Sequence, residues 1–556
     1  MGKYAIGVDF GTLSGRALLV DIHTGEEAAA STLEYRHAVM DQKLPCGKRL
    51  GPGWALQHPQ DYIEVLKHTI PDVLQKSGAA AKDVVGIGVD FTACTMLPVK
   101  KDGTPLCFLK KYEDDPNAWA KLWKHHAAQD KANKINEIAG QRCEKWLERY
   151  GGKTSSEWLL AKIWQVLDES PGLYGDTDYF IEAGDWIVWQ LTGVQKRSAC
   201  QAGYKALWHK RDGYPSKEFF AALDKRLENV TEKLSAEVLP LGSRAGGVTK
   251  TMSALTGLAE GTPVAAAVID AHVCMPAVKI TEPGKMLAIM GTSACYLLLG
   301  NEEKSAPGIC GYVEDGIMPG FIGYEAGQAC VGDLFEWFVK NCASREYLEN
   351  AKNQGRGIHA HLQELAGRFK PGESGLIALD WWNGNRSVLV DADLSGMILG
   401  LTLRTKPEEI YRALAEATAF GARKIIENFE NSGLPVDEIV AAGGIAEKSP
   451  FIMQIFADVT KKTVRISGSA QGPAQGAAIF GAVAAGPEGG GHPDAVQAAR
   501  VMGKLKDIVY RPIAENAEVY DRLYAEYEKL HQYFGEGMNG VMKRLKKMNC
   551  LRAIDD

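Results

Sequence analysis

The sequence predicts an α/β protein with two domains of similar construction. The chain has 556 residues, which is too long for a single hydrophobic core. Strand patterns alternate with helix patterns along it, as is typical of layered α/β folds. A strand, a turn containing Gly-Thr and a second strand occur near the start and again at residues 284–300. This repeat indicates that each domain opens with the same kind of hairpin.

In the first half of the chain, the spacing of apolar residues and the turn signals assign strands and helices. We predict strands at residues 4–9, 16–21, 84–90 and 263–269, and helices at 60–75, over most of 117–167 and at 185–191. Residues 95–99 are predicted to be the hairpin partner of strand 84–90.

The second half continues the alternation after its opening hairpin. Helices are predicted at residues 408–431, 449–460, 474–485 and 520–534, and a strand at 439–442. Helix 474–485 consists mainly of small residues, so it can pack very close to its neighbours. We place the domain boundary near residues 275–285, with an N-terminal domain over 1–280, a C-terminal domain over 281–490 and a helical extension over 491–556.

Composition and charge exclude several classes of function. The net charge is −6, from 63 basic and 69 acidic residues, which argues against a general nucleic-acid or membrane-surface binder. We therefore expect no nucleic-acid and no membrane partner. The one notable basic run, Lys543, Arg544, Lys546 and Lys547, is interpreted as a solvated helix face.

Cysteine usage suits a reducing compartment. The eleven cysteines include no C-x-x-C pair and are odd in number, which favours neither a disulfide framework nor a zinc site. No signal-peptide pattern is seen, and no apolar run reaches the length of a membrane span. We expect a cytoplasmic protein.

The hairpin at residues 6–16, IGVDFGTLSGR, is the first candidate site. Its glycines allow backbone N–H groups to come close to an anion, and Asp9 ends the first strand, where a carboxylate can hold Mg²⁺ through water. The alternative is a plain turn between two strands. A P-loop does not explain the chain, because Leu147 stands where the motif ending at Gly152-Lys153-Thr154 needs a glycine.

Five stretches in order carry a family resemblance: IGVDFGTLSGR, GIGVDFTACTMLPV, VIDAHVCMPA, IMGTSACYLL and AAGGIAEKSPFIMQIFADV. The chain from about residue 3 to about 490 resembles the FGGY family of carbohydrate kinases. That resemblance implies two duplicated actin-like ATPase (ribonuclease H-like) domains around a central cleft. Stretches at 199–208, 322–338 and 379–391 resemble the branch of the family that phosphorylates L-ribulose.

The resemblance implies roles for individual residues. Asp270 is the expected general base that takes the proton of the attacking hydroxyl, and Asp9 is the expected Mg²⁺-proximal carboxylate. A helix N-terminus at Asp270 would favour its ionised form. The nucleotide-binding residues implied are Gly11, Thr12, Leu13, Ser14 and Arg16 in a first phosphate loop, Gly291, Thr292 and Ser293 in a second, and Gly443, Gly444, Lys448 and Ser449 at an adenosine-binding turn.

The expected sugar-binding residues are Ala93, Lys205, Asp270 and Glu325. A ketose needs donors for its carbonyl and hydroxyls, which a lysine supplies three at a time, while Glu325 is the complementary acceptor. For Lys205 and Glu325 a plain surface or ion-pair role is the alternative, and for Asp270 a helix cap.

The resulting hypothesis is ATP- and Mg²⁺-dependent phosphorylation of L-ribulose at the 5-hydroxyl, extending to D-ribulose and related ketopentoses, in L-arabinose catabolism. The expected partners are a small ketopentose and ATP, with a homodimer as a candidate assembly. One alternative is another kinase of the same family, such as a xylulokinase. The other is an actin-like ATPase that does not act on sugar.

Overall fold

The computed structural model describes residues 3–552 and contains two seven-stranded mixed sheets, each belonging to one half of the chain. The outermost residues of the predicted domain bounds, 1–2 and 553–556, lie outside this range. The two sheets and their flanking helices match the predicted α/β class with two units.

The first half of the chain forms the first large sheet and two smaller ones. Its strands are β1 (Tyr4–Phe10), β2 (Ser14–Asp21), β3 (Glu27–Glu34), β4 (Leu56–Gln57), β5 (Val84–Phe91), β6 (Met96–Val99), β7 (Ala120–Lys121), β8 (Tyr179–Glu182), β9 (Arg197–Ser198), β10 (Val238–Leu239), β11 (Arg244–Gly247), β12 (Pro263–Ala265) and β13 (Val268–Ile269). Its helices are α1 (Pro59–Ser77), α2 (Gln129–Gln141), α3 (Leu159–Glu169), α4 (Pro171–Asp176), α5 (Ala183–Thr192), α6 (Ala199–Lys205), α7 (Lys217–Leu223), α8 (Lys250–Thr256) and α9 (Asp270–Ala277).

The first large sheet has the strand order β11-β12-β5-β1-β2-β3, with β13 also paired to β5. The predicted opening hairpin is present: β1 and β2 are antiparallel, and Asp9 lies opposite Arg16. β5 runs parallel to β1, with Asp90 beside Asp9. The strands that carry acids therefore end at the same edge of the sheet.

The predicted hairpin between strand 84–90 and residues 95–99 is wrong. β6 pairs with β7 and β8 in a separate four-stranded sheet. Cys94 has a left-handed backbone with φ of 61°, and the hydroxyls of Thr92 and Thr95 are hydrogen-bonded at 2.9 Å within the same turn. This turn directs the chain out of the first sheet, a change of direction that strand periodicity does not reveal.

The second half forms the other large sheet. Its strands are β14 (Gly284–Met290), β15 (Ala294–Gly300), β16 (Gly311–Glu314), β17 (Ile322–Gln328), β18 (Ile377–Leu379), β19 (Met397–Leu399), β20 (Val436–Ala442), β21 (Thr463–Ser467) and β22 (Leu505–Tyr510). Its helices are α10 (Gly332–Cys342), α11 (Arg345–Asn353), α12 (Ile358–Ala366), α13 (Pro407–Asn431), α14 (Gly444–Lys448), α15 (Pro450–Thr460), α16 (Gly472–Ala485), α17 (Ala495–Met502), α18 (Ala514–Gly535) and α19 (Val541–Arg552).

The second sheet repeats the plan of the first. Its order is β16-β17-β15-β14-β20-β21-β22, so the hairpin β14–β15 and the parallel strand β20 correspond to β1–β2 and β5. The segment predicted as a helical extension also contributes the edge strand β22. The predicted domain bounds stay a prediction.

Helix α16 lies between β21 and β22 of the second sheet in the chain but packs on the first sheet. Its small residues allow this: a Cβ placed on Gly7 would lie 1.8 Å from the carbonyl oxygen of Ala474, and one on Gly88 would lie 1.9 Å from that of Ala477. Backbone therefore contacts backbone at this crossing, as the small-residue composition of the helix predicted. The contact joins the two halves beneath the site described below.

None of the helices within residues 3–552 is both long enough and apolar enough to cross a membrane. Helix α18 packs through the buried side chains of Tyr520, Tyr524 and Tyr527 against the second half of the chain.

Candidate active site

Three aspartates meet at one edge of the first sheet. Asp9 lies near the carboxyl end of β1, Asp90 near that of β5, and Asp270 directly follows β13. β1 and β13 both run parallel to β5, and Val268 of β13 pairs with Asp90. The carboxyl ends of parallel strands are where open α/β sheets bind ligands. The topology thus places the predicted base beside the predicted metal-binding carboxylate.

Asp9 and Asp90 share a buried region of negative charge. The Arg16 Nε atom lies 3.0 Å from Asp9 Oδ2, and Asp9 is 5% exposed. Burial raises the pKa of Asp9 although Arg16 and Asp90 both act to lower it. Burial and the charge of Asp9 raise the pKa of Asp90 well above its usual value. Two carboxylates this close favour a shared proton or a bound cation.

Asp270 is the first residue of α9, half-buried, and its Oδ1 accepts a hydrogen bond of 2.7 Å from the Ala271 N–H. The cap position is occupied by Ile269, so Asp270 is not the N-cap of the helix. Burial, followed by the charge of Asp9, raises its pKa to about 7, against the lowering by the Ala271 N–H. The first N–H of the helix favours the ionised form, as expected, but desolvation and a neighbouring acid outweigh it. A pKa near 7 suits a general base at neutral pH.

Lys205 and Glu325 form a buried ion pair between the two halves of the chain. Lys205 ends α6, Glu325 lies on β17, and the Nζ–Oε2 distance is 2.9 Å. Both residues are less than 5% exposed. The Nε2 atom of His272 lies 3.2 Å from the same Glu325 oxygen. The surface role considered as an alternative is thereby excluded, and the ion-pair geometry is compatible with sugar binding.

The electrostatics of this pair follow from its burial. Burial opposes the charge of Glu325, but Lys205, His272 and Arg386 hold its pKa well below the usual value. Burial also opposes the charge of Lys205, and Glu325 more than offsets this, so the pKa of Lys205 is raised. Burial lowers the pKa of His272, which makes the neutral ring the favoured form. A charged pair in such a site needs excellent geometry to be stable.

A cavity of about 680 Å³ opens over Lys205. It is lined from the first half of the chain by residues 153–158 and from the second by residues around Asn385 and Arg386. Ala93 follows β5 and is half-buried, packing against apolar clusters that include Tyr204 and Val273. Its predicted backbone contact with a sugar stays a prediction.

The predicted first phosphate loop is held by contacts from both halves of the chain. Gly11 N–H donates to the Ser14 carbonyl at 2.9 Å, which closes the turn. Thr12 accepts from Gln57 through its carbonyl at 2.8 Å and from the Trp123 indole through its hydroxyl at 3.1 Å. Leu13 is exposed. Arg16 also donates to Gln471 Oε1, at 3.2 Å, and Gln471 precedes α16.

The second phosphate loop is the turn between β14 and β15. Gly291 N–H donates to the Ser293 carbonyl at 2.9 Å, which repeats the closure seen in the first loop. The N–H groups of Val331 and Asp333, at the start of α10, donate to the Thr292 carbonyl. Gly291 and Thr292 are exposed. The loop is therefore rigid at its base and open at its tip.

The predicted adenosine turn lies next to this second loop. Gly443 has a left-handed backbone with φ of 92°, and a Cβ there would lie 2.6 Å from the Met290 carbonyl oxygen. Gly444 and Lys448 are exposed. Ser449 is buried instead: its hydroxyl caps α15 by accepting from Ile452 N–H and bonds to Gln363. A nucleotide contact for Ser449 stays a prediction.

Sequence reasoning missed two residues that the structure adds. Asp90 lies beside Asp9, and His272 lies between Glu325 and Cys200. The signal for Asp90 was present, because the tetrapeptide GVDF occurs at residues 7–10 and again at 88–91. His272 had no such signal, since its contact with Glu325 joins segments far apart in the chain.

The aspartates fit a Mg²⁺ ion. Both carboxylate oxygens of Asp90 are buried and have no hydrogen-bond donor within residues 3–552. Asp9 and Asp90 are hard oxygen ligands, and Mg²⁺ typically binds one or two carboxylates and completes its shell with water and phosphate. No group of three or more His, Cys, Asp or Glu ligands in the described part of the chain forms a complete metal cage. The chemistry suits a metal that arrives with a phosphate ligand.

Comparisons with known proteins identify the family of the chain. The model of the FGGY family of carbohydrate kinases, N-terminal domain, matches residues 4–275, and the C-terminal domain of the same family matches 286–485. The chain is 56% identical to a ribulokinase from Halalkalibacterium halodurans over 552 residues, covering 99% of this chain and 98% of that protein. It is 57% identical to a ribulokinase from Anoxybacillus flavithermus, covering 98% of this chain and 97% of the relative.

Solved structures resemble the whole fold. A xylulose kinase from Rhodospirillum rubrum superposes with a TM-score of 0.78 at 23% identity, covering 95% of this chain and 98% of the other. Plasmodium falciparum glycerol kinase with ADP gives a TM-score of 0.74 at 15% identity, with coverage of 95% and 98%. At such identities the likeness shows the fold alone, and it confirms the predicted pair of actin-like α/β domains.

Proposed function

The chain belongs to the FGGY family of carbohydrate kinases, and on this premise we propose that it transfers the γ-phosphoryl group of ATP to the 5-hydroxyl of L-ribulose. The reaction yields ribulose 5-phosphate in L-arabinose catabolism. The observation that carries the proposal is the buried Lys205–Glu325 ion pair at 2.9 Å in the cleft that also holds Asp270. Relatives named ribulokinase, at 50% identity or more over nearly the whole chain, support the choice of sugar.

Lys205 and Glu325 provide opposite hydrogen-bonding functions for one sugar. The ammonium donates to carbonyl or hydroxyl oxygens, and the carboxylate accepts from hydroxyl groups. Because the two side chains are paired at 2.9 Å, a sugar bound against the pair contacts residues from both halves of the chain. This arrangement orients the terminal hydroxyl toward Asp270.

Asp270 accepts the proton of the attacking hydroxyl at its carboxylate. Positioning and charge stabilisation dominate phosphoryl transfer, so a base of moderate strength is sufficient. With a pKa raised to about 7, Asp270 is ionised in a large fraction of molecules at neutral pH and still holds a proton well once it receives one.

The two glycine turns bind the phosphates of ATP from opposite sides. Gly11 to Ser14 face the nucleotide from the first domain, and Gly291 to Ser293 face it from the second. Arg16 contributes positive charge at the first turn, where it also pairs with Asp9. The exposed Gly444 and Lys448 contact the adenosine, adjacent to the second turn.

Mg²⁺ is part of the proposal, with Asp9 and Asp90 as the residues that hold it. Bound there with ATP, the ion would neutralise charge on the β- and γ-phosphates. A cytoplasmic location belongs to the same proposal, because the enzyme consumes the ATP of the cell. The homodimer stays a prediction.

A kinetic panel with purified enzyme tests the function. ADP release is measured with L-ribulose, D-ribulose, D-xylulose and glycerol, and without sugar. We expect the highest kcat/KM with L-ribulose and little ATP turnover without sugar. Preference for D-xylulose or glycerol would support another kinase of the family, and sugar-independent turnover would support an ATPase.

The variant Asp270→Asn tests the base in the same assay. We expect kcat to fall by about 10²- to 10⁴-fold, the usual contribution of a general base, while the KM for ATP changes little. Asp41→Asn, at an exposed aspartate outside the site, is the matched control and should retain full activity. Full activity of Asp270→Asn would rule out the assigned role.

A further inference from the structure

The loop 383–393 brings an additional cation, Arg386, to the sugar site. We call these residues the arginine loop. Arg386 and Lys205 line the same 680 Å³ cavity, and the Arg386 Nη2 atom lies 3.3 Å from Glu325 Oε1. Lys205 holds the other oxygen of the same carboxylate. Arg386 is therefore one of three contacts, with Lys205 and His272, that hold the Glu325 carboxylate.

The arginine loop has its own hydrogen bonds but belongs to no sheet or helix of the domain. Asn385 and Asp391 exchange backbone hydrogen bonds of 2.9 and 2.8 Å, and the Asn385 side chain accepts from Leu389 N–H at 2.9 Å. The Ser387 hydroxyl accepts from Gly327 N–H at 3.2 Å, next to Glu325 on β17. These bonds define the shape of the loop. Residues 390–393, its outer half, are held mainly by contacts from other elements.

The C-terminal helices supply that support. Helix α18 contacts the base of the loop, because Tyr527 donates to Asp380 at 3.0 Å and a Cβ on Gly535 would lie 2.3 Å from Leu389 Cδ1. Helix α19 contacts its outer half. Lys543 Nζ lies 2.5 Å from Asp391 Oδ2, and Lys546 donates to the Ala392 carbonyl at 2.6 Å.

The four basic residues of this run are exposed, in agreement with the interpretation as a solvated helix face, and two of its lysines also contact the arginine loop. Asp391 is partly buried, with a side chain 17% exposed, so its charge benefits from a close cation. Across the cavity, Lys153 of the first domain donates to the Val390 carbonyl at 3.0 Å. The loop is therefore held on one side by α19 and touched on the other by the opposite domain.

We propose that Lys543 and Lys546 are positioning residues for the sugar site, which hold the arginine loop so that Arg386 orients Glu325. This inference rests on the proposed function, since it assigns Glu325 to the sugar. The lysines do not touch the substrate. Their loss should weaken sugar binding. Nucleotide binding, which is assigned to the other side of the cleft, should stay unchanged.

The test uses the full chain with Lys543→Gln and Lys546→Gln combined. We expect the KM for L-ribulose to rise roughly three- to tenfold, as suits the loss of one partly exposed ion pair and one hydrogen bond, with the KM for ATP unchanged. Lys543→Arg with Lys546→Arg should restore the KM. Lys547→Gln, on the same helix and exposed, is the matched control and should behave as the wild type.

A double-mutant cycle shows whether the lysines act through Arg386. With Arg386→Gln already present, replacing Lys543 and Lys546 should raise the sugar KM no further. Independent, additive increases would overturn the proposed route through Arg386.

Hydrogen exchange gives a readout that needs no substrate. Amides of Asn385, Leu389 and Asp391 should exchange faster in the lysine double variant than in the wild type, because the loop opens more often. Unchanged exchange, or faster exchange with an unchanged sugar KM, would overturn the inference. Failure of the proposed function would instead appear in the wild-type assay, as absence of L-ribulose phosphorylation.

Discussion

At the scale of the residue, the site depends on how three aspartates share one charged region. Asp9 and Asp90 are adjacent on neighbouring strands, and Asp270 lies close enough that the charge of Asp9 raises its pKa. Arg16 compensates only part of this charge, because it pairs with Asp9 alone at 3.0 Å. The arrangement suits the binding of a cation and a polyphosphate.

Replacing Asp9 by asparagine should weaken the use of Mg²⁺-ATP much more than the binding of sugar. The substitution removes the carboxylate beside Asp90 and frees Arg16, so a metal bound with ATP loses an anionic contact. We expect kcat/KM for ATP to fall by about 10–100-fold, the range found when support of a bound metal is lost. Steady-state kinetics at several Mg²⁺ concentrations measure this, and Asp41→Asn is the control. Unchanged ATP kinetics in Asp9→Asn would show that the opening hairpin has only a structural role.

The pKa of Asp270 predicts the acid side of the rate profile. A base works when deprotonated, so raising its pKa to about 7 makes the rate fall as pH falls through that value. A Mg²⁺ ion held nearby would lower the pKa, so the bend should lie at or below about pH 7. We expect kcat/KM for sugar to lose about tenfold per pH unit below the bend and to be level above it. A profile that is flat from pH 5 to 8 would contradict the assignment.

At the scale of the element, the close packing of α16 on the first sheet joins the two domains. Gly7, Gly86 and Gly88 all face α16 on the first sheet, and a Cβ at any of them would lie about 2 Å from one of its carbonyl oxygens. Protein interiors tolerate no such overlap without displacement. The small-residue pattern of both partners is thus required by the crossing itself.

Gly7→Ala should destabilise the protein strongly. The new methyl group would lie 1.8 Å from the Ala474 carbonyl oxygen, so helix and strand must separate. We expect a loss of about 1–3 kcal/mol or more in the free energy of unfolding, as for other overpacked cores. Thermal and urea unfolding measure it.

Gly140→Ala is the matched control for this substitution. Gly140 lies in α2 with nothing within 4 Å of a Cβ position, so alanine should stabilise the helix by about 0.5–1 kcal/mol. Similar effects of the two substitutions would show that the close crossing of α16 does not determine stability.

At the scale of the whole molecule, the proposed catalytic and sugar-binding residues come from opposite domains. Lys205 and Asp270 belong to the first and Glu325 to the second, and the two predicted phosphate loops are divided in the same way. Neither domain alone can complete the site. Closure of the cleft over both substrates would exclude water and strengthen each electrostatic contact.

We therefore expect a smaller radius of gyration when L-ribulose and Mg²⁺-ATP are bound together. Small-angle X-ray scattering of the Asp270→Asn variant measures it, because that variant should bind both substrates without turning them over. Each substrate alone serves as a control and should give a smaller decrease. An unchanged radius at saturating concentrations of both would argue against closure.

The sequence by itself determined the local parts of this protein. Alternating periodicity placed the strands, the repeated Gly-Thr pattern placed the turns of both opening hairpins, and small residues identified α16 as a close-packing helix. The five family stretches in order led to the fold and the kinase activity that the comparisons confirm. Such features depend on residues near one another in the chain, so local pattern is sufficient to detect them.

Only the tertiary structure determined which strands pair and which distant residues contact one another. It paired β6 with β7 and β8 instead of β5 and placed Asp90 and His272 beside the predicted residues. It also raised the pKa of Asp270 through burial and the charge of Asp9, which outweigh the opposite effect of the helix N-terminus. It also brought the lysines of α19 to the arginine loop, about 150 residues earlier in the chain. Pairing, burial and charge interactions of this kind depend on distances in space, and the order of residues does not specify those distances until the chain has folded.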